Sequence, residues 1–186
     1  METLRLRTFL RNVFLVILMV GLVSCAPTTS HPDDESEVDM GLTLASTAFS
    51  DGEKIPKEYT CEGNDISPQL AWTDVPPATQ SLVMIMDDPD APSGTWVHWV
   101  LFNIEPQVEE LPEGGTGIGV EGNNSWRRTG YGGPCPPAGQ THRYIFKLYA
   151  LDVELGLRAG ASKKEVEKAI QNHILAQVQI TGTYSR

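Results

Sequence analysis

Ser81–Ile104 reads SLVMIMDDPDAPSGTWVHWVLFNI, and the fold class turns on it. Its ends, Ser81–Met86 and Trp96–Ile104, are rich in branched and aromatic residues, are bounded by turn residues, and read as buried strands. Between them, Pro89, Pro92 and Gly94 carry loop chemistry. Asp88 and Asp90 leave the first strand one residue apart. If that segment is extended they point the same way, while the two prolines restrict the backbone around them. A polar turn with capping aspartates is the plainer alternative. Ten residues past Asp88, His98 falls inside the second run, where alternation places Trp96, His98, Val100 and Phe102 on one face. A histidine on a core face needs a hydrogen-bond partner, and a carboxylate at the strand end is an obvious one.

Two further strands are expected outward from this stretch, Arg143–Leu151 (RYIFKLYAL) and Ala176–Thr183 (AQVQITGT). Alternation in the first of them groups His142, Tyr144, Phe146 and Leu148, with Arg143 on the other face. The intervening EPQVEELPEGGTGIG (Glu105–Gly119) and YGGPCPPAGQ (Tyr131–Gln140) read as loops. The second is a place for a cis-proline, and its free backbone N–H groups can cradle an anion. Two imidazoles, a phenol and loop amides above an apolar core would suit a phosphate or a carboxylate. One helix is well signalled: Ser162 with Glu165 makes a capping box, and Val166, Ala169, Ile170 and Ile174 recur at helical spacing. His173, at the edge of that stripe, reads as a packing or surface residue. The class is mainly β with a helix in the C-terminal region.

The composition removes several function classes. The 186 residues are 40% hydrophobic, too apolar for a disordered chain, and three cysteines are too few for a disulfide-stapled mini-protein. With a formal charge of −10 and no basic cluster longer than a pair, nucleic acid is not an expected partner. Arg5, Arg7 and Arg11 precede an apolar run, Val13–Val23, that is too short for an ordinary bilayer span and has the form of an export signal. Leu22-Val23-Ser24-Cys25 resembles the bacterial lipobox, in which the cysteine is acylated and becomes the new N-terminus. Residues 1–24 are therefore expected to be a lipoprotein signal peptide and Cys25 the point of lipid attachment. Ala26 after that cysteine favours the outer membrane in a Gram-negative cell. Residues 25–40 hold five acids and no Lys or Arg, the composition of an extended acidic tether in which His31 is solvated. The folded part is expected over 41–186.

DPDAP, VHW (Val97–Trp99), GPCPP followed by Gly139, and HRY occur in this order, and together they are similar to the phosphatidylethanolamine-binding protein family. YTCEGNDISPQLAW (Tyr59–Trp72), YGGPCPP (Tyr131–Pro137) and HRYIFKLYALD (His142–Asp152) resemble its bacterial, Raf kinase inhibitor-like branch. The resemblance implies a two-sheet antiparallel β-sandwich with a small anion pocket at one end. The pocket residues it implies are Asp88, Asp90, His98, Pro136, Pro137, His142 and Tyr144. The ligand it implies is a small anion: a phosphate, a phosphorylethanolamine-like headgroup or a carboxylate. Some eukaryotic members carry a tyrosine between DPDxP and the first histidine. Only Ser93–Val97 stand there, so that wall is missing or supplied from elsewhere. The extended C-terminal helix of mammalian members is not expected in a chain ending at Tyr184-Ser185-Arg186.

Cys61 and Cys135 fall in two of the matching motifs. With Cys25 acylated they make an even count in an oxidising setting, and a disulfide between them is expected, free thiols being the alternative. No signature nucleophile such as G-x-S-x-G is present, and a binding protein is expected rather than an enzyme. No cofactor or metal is implied, although two histidines and two aspartates could in principle hold a divalent ion. The remaining expectation is an unidentified protein partner, met in the manner of a protease or kinase inhibitor through the pocket rim and the Glu105–Gly119 loop.

Overall fold

The computed structural model describes residues 41–186. The expected signal peptide, the acidic tether, Cys25 and His31 lie outside the described residues. The elements are β1 (Thr43–Ala45), β2 (Leu70–Thr73), β3 (Ser81–Asp88), β4 (Trp96–Ile104), β5 (Glu110–Leu111), β6 (Val120–Glu121), β7 (Thr141–Leu151), α1 (Lys163–Ile170) and β8 (Ile174–Ser185). They form two antiparallel sheets, a small one in the order β1-β2-β5 and a larger one in the order β6-β4-β3-β7-β8. The expected mainly β, two-sheet class with one helix is the class observed.

β3 is the middle strand of the larger sheet and is buried along its whole length. Both of its faces are covered, which is why it reads as a continuous apolar run rather than an alternating one. Leu82, Met84 and Met86 face the small sheet and pack with Leu70, Trp72 and Leu111. Val83 and Ile85 face the other way, against Leu155, Val166 and Ile170. Eight residues make a marginal helix by themselves. α1 is held by its capping box, with the Ser162 hydroxyl accepting from the Glu165 N–H and the Glu165 carboxylate accepting from the Ser162 N–H. Val166 and Ile170 then anchor it to the sheet, and Lys163 Nζ donates to Asp87 Oδ2 at 2.7 Å.

Several expectations are corrected. The helix ends at Ile170; Ile174, 41% exposed, instead opens β8, and the exposed His173 bonds Asp152 Oδ1 at 2.8 Å. The loop expected over Glu105–Gly119 contains β5. The proline loop contains no cis peptide bond. β4 does not alternate as expected: Asp87 pairs with Val97 and Met86 with Trp99, leaving His98 as an extra, bulged residue. Beyond the bulge the faces exchange. Trp99 and Leu101 join the core between the sheets, whereas Val100 and Phe102 pack toward α1, so they do not share the face of His98. Cys61 and Cys135 are disulfide-bonded across a sequence separation of 74.

Candidate functional site

The C-terminal end of β3, the bulge of β4, the first residues of β7 and the proline loop meet at one end of the larger sheet. They enclose an open cavity of about 310 Å³ lined by Asp88, His98, His142 and Pro137, with Trp96 and Trp126 as walls. The bulge is what places His98 there. The extra residue lets its ring meet the Tyr144 ring edge-on at 5.1 Å while Trp99 still reaches the core.

His98 is 2% exposed, and its Nδ1 lies 2.6 Å from the carbonyl oxygen of Gly132. The expected carboxylate partner is thus replaced by a backbone carbonyl of the proline loop. Burial pushes the imidazole below its usual pKa, although the Gly132 bond and the charges of Asp88, Asp87 and Asp65 pull the other way. The carboxylate belongs to the other imidazole. His142 Nδ1 lies 2.7 Å from Asp88 Oδ2, both residues being buried, and its Nε2 lies 3.1 Å from Gln140 Oε1. Asp88 therefore faces the cavity with its charge already engaged. Tyr144 is fully buried behind the histidines, its hydroxyl without a hydrogen-bond partner. Burial, and then the Asp88 charge, raise its pKa well above the ordinary phenol value, which keeps the proton on the oxygen.

The two aspartates do not point the same way. Asp90 N–H donates to Asp88 Oδ1 at 2.8 Å, and this turn breaks the extended path that would have aligned the carboxylates. Asp90 instead accepts from the Arg143 backbone N–H and Nε, each at 2.9 Å, and from Nη2 at 2.7 Å. Those bonds hold its carboxyl down to about 2. Asp90 is thus a clamp on the outer face of β7 and does not line the cavity. Pro137 lines the cavity, while Pro136 is buried and does not. Tyr144 supports His98 from behind.

Trp126 was missed from the sequence. It lies between β6 and β7, 41% exposed, edge-on to His98 at 5.1 Å and to Trp96 at 5.3 Å. It forms a second aromatic wall beside Trp96, which the Ser93–Val97 segment supplies. The only available signal was a single tryptophan in the polar segment Gly122–Gly130. Among the described residues, no group of three or more His, Cys, Asp or Glu is placed to hold a metal ion.

A sandwich with this loop-closed cavity at one end is the architecture of a known class of proteins. The family model for phosphatidylethanolamine-binding protein matches residues 45–185. A UPF0098 protein of Aquifex aeolicus is 53% identical over 78% of this chain and 89% of its own length. Another, from Methanothermobacter thermautotrophicus, is 47% identical over 78% of this chain and 99% of its own. Among solved structures, a phosphatidylethanolamine-binding protein homologue from Chlamydia trachomatis superposes with a TM-score of 0.76 at 43% identity, covering 78% of this chain and 98% of the other. YbcL of Escherichia coli superposes at 0.73 with 32% identity, over the same two shares. The chain belongs to the phosphatidylethanolamine-binding protein family.

Proposed function

We propose that the chain is a membrane-anchored binding protein that holds a small, phosphate-like anion between His98 and His142. The observation that carries this reading is the pair of buried imidazoles at the cavity, each fixed through Nδ1, with Asp88 already hydrogen-bonded to His142 before any ligand arrives. An anion there can meet the N–H groups of the proline loop without facing a free carboxylate. The family name, which refers to a phospholipid with a phosphate in its headgroup, agrees with a ligand of this chemistry. Binding rather than catalysis fits the same site, because Cys135, the cysteine that lines the cavity, is tied up in a disulfide. Export and acylation at Cys25 rest on the sequence features of residues 1–25 and agree with a disulfide in an oxidising compartment.

The test is a two-dimensional NMR titration of residues 41–186 with inorganic phosphate, phosphorylethanolamine and acetate, with His98→Ala as control. Shifts centred on Asp88, His98, Pro137 and His142, absent in the variant, are the expected result. The absence of shifts with every anion would overturn the reading. Affinity should rise as pH falls below the usual imidazole value of about 6.5, as His98 gains its proton. Metabolic labelling with a radioactive fatty acid, lost in Cys25→Ser, tests the anchor.

A further inference from the structure

His98 is held in a single pattern of donors and acceptors. Nδ1 stands 2.6 Å from a carbonyl oxygen, which can only accept, so Nδ1 carries the hydrogen and the neutral ring has its lone pair on Nε2. The ring is 2% exposed, with Tyr144 and Trp126 each 5.1 Å away and edge-on. Nε2 has no protein partner. Nor is it sealed: the side-chain polar atoms that are both enclosed and unpartnered among the described residues are Thr79 Oγ1, Asp87 Oδ1, Trp96 Nε1 and Tyr144 Oη. The remaining opening of this ring is the cavity it lines. At neutral pH the cavity thus offers an acceptor where an anion site ordinarily offers a donor. His142 cannot take over that role, because Asp88 and Gln140 occupy its two nitrogens.

An anion oxygen without hydrogen placed on Nε2 would set lone pair against lone pair. An oxygen that carries a hydrogen would make a bond there. We propose that His98 Nε2 accepts a hydrogen bond from the P–OH of the ligand, so that the cavity selects hydrogen phosphate and singly protonated phosphomonoesters over sulfate and phosphodiesters. The inference deepens the anion reading and rests on it. It also separates two sources of the same headgroup. Within an intact phospholipid the phosphate is a diester and has no P–OH, whereas the free headgroup is a monoester and has one.

The groups that bear on the protonation of His98 are Asp88 and Asp87 of β3, Asp65 beside Gly133, and Tyr144 and His142 of β7. The three aspartates favour the imidazolium, but burial outweighs them, and Tyr144 remains a neutral phenol. When acid finally protonates the ring, Nε2 becomes a donor and sulfate and diesters are accepted as well. The preference for P–OH therefore narrows as pH falls. A pocket that read charge alone would take dianionic sulfate at least as well as phosphate at every pH.

Isothermal titration calorimetry on the full-length chain decides the matter. The probes are inorganic phosphate, sulfate, phosphorylethanolamine and glycerophosphorylethanolamine. At about pH 6.5 a phosphomonoester is partly protonated and His98 is neutral. Phosphate should then bind about tenfold more tightly than sulfate, and the monoester about tenfold more tightly than the diester, the scale of one good hydrogen bond. Both ratios should shrink at a second, lower pH, acid enough to protonate the ring. They should shrink also in His98→Gln, whose amide can donate. Sulfate within about twofold of phosphate at the higher pH would overturn the selection while leaving the anion site in place. No heat with any of the four anions at either pH would overturn the anion reading and this inference with it.

Discussion

Replacing Cys61 and Cys135 together by serine removes the covalent link between the loop before β2 and the proline loop that closes the cavity. A sequence separation of 74 sets the scale of the effect. In the chain-entropy treatment, opening a loop of that size returns about 4.5 kcal/mol to the unfolded chain at 25 °C. The unfolding entropy of a domain of this size is about 0.3 kcal/mol/K, so the midpoint of thermal unfolding should fall by about 15 °C. One contact survives the change, since Cys61 N–H donates to the Pro134 carbonyl at 3.2 Å through the backbone. Urea titration of wild type and double variant, followed by circular dichroism, gives the stability difference and the m-value together. The m-value should rise, because the unlinked chain exposes more surface on unfolding. A loss of less than about 1 kcal/mol with an unchanged m-value would refute the reasoning, by showing that the unfolded chain is no freer without the link.

Three further predictions address the site and its support. His98 titrates at a lower pH in the folded chain than in the unfolded one, so its contribution is constant above about pH 6.5 and is lost progressively as pH falls toward the folded value. Stability measured against pH should therefore decline less steeply in His98→Gln than in wild type, and parallel curves would contradict this. Asp90→Asn takes the charge out of the clamp on Arg143 and leaves the backbone N–H that bonds Asp88 in place, and the Asp90 side chain does not line the cavity. It should cost no more than about 1 kcal/mol and leave phosphate affinity unchanged, and the clamp itself should weaken in acid as the carboxyl protonates near 2. Gly182 pairs with Tyr144 across β7 and β8, and a methyl group there would collide with Ile55 and come within 3.0 Å of Phe49. Gly182→Ala should cost about 1–3 kcal/mol by overpacking, measurable as a shifted urea midpoint without loss of the fold.

Much of the fold was legible because its long strands are buried in ways that leave a local trace. Ser81–Met86 is apolar throughout since β3 is covered on both faces, and His142, Tyr144, Phe146 and Leu148 alternate since β7 has one face in the sandwich core. Ser162 and Glu165 announced α1 because a capping box is satisfied within four residues. The short strands β1, β2, β5 and β6 left no such trace. With two to four residues each, they are strands only because another segment supplies the opposing hydrogen bonds.

The residue types of the candidate site could be read from the chain, and so could their order. Their roles could not. Alternation treats a strand as regular, whereas the bulge at His98 exists because Asp87 and Met86 of a neighbouring strand pair on either side of it. Nothing local tells that Asp88 turns inward to His142 while Asp90 turns outward to Arg143, because both partners lie more than fifty residues away. The same holds for the Gly132 carbonyl that orients His98 and for the ring of Trp126 beside it. Which groups are present is a property of the sequence. Which nitrogen of His98 faces the cavity, and hence what it can recognise, is settled by hydrogen bonds that close only when distant strands and loops are packed together.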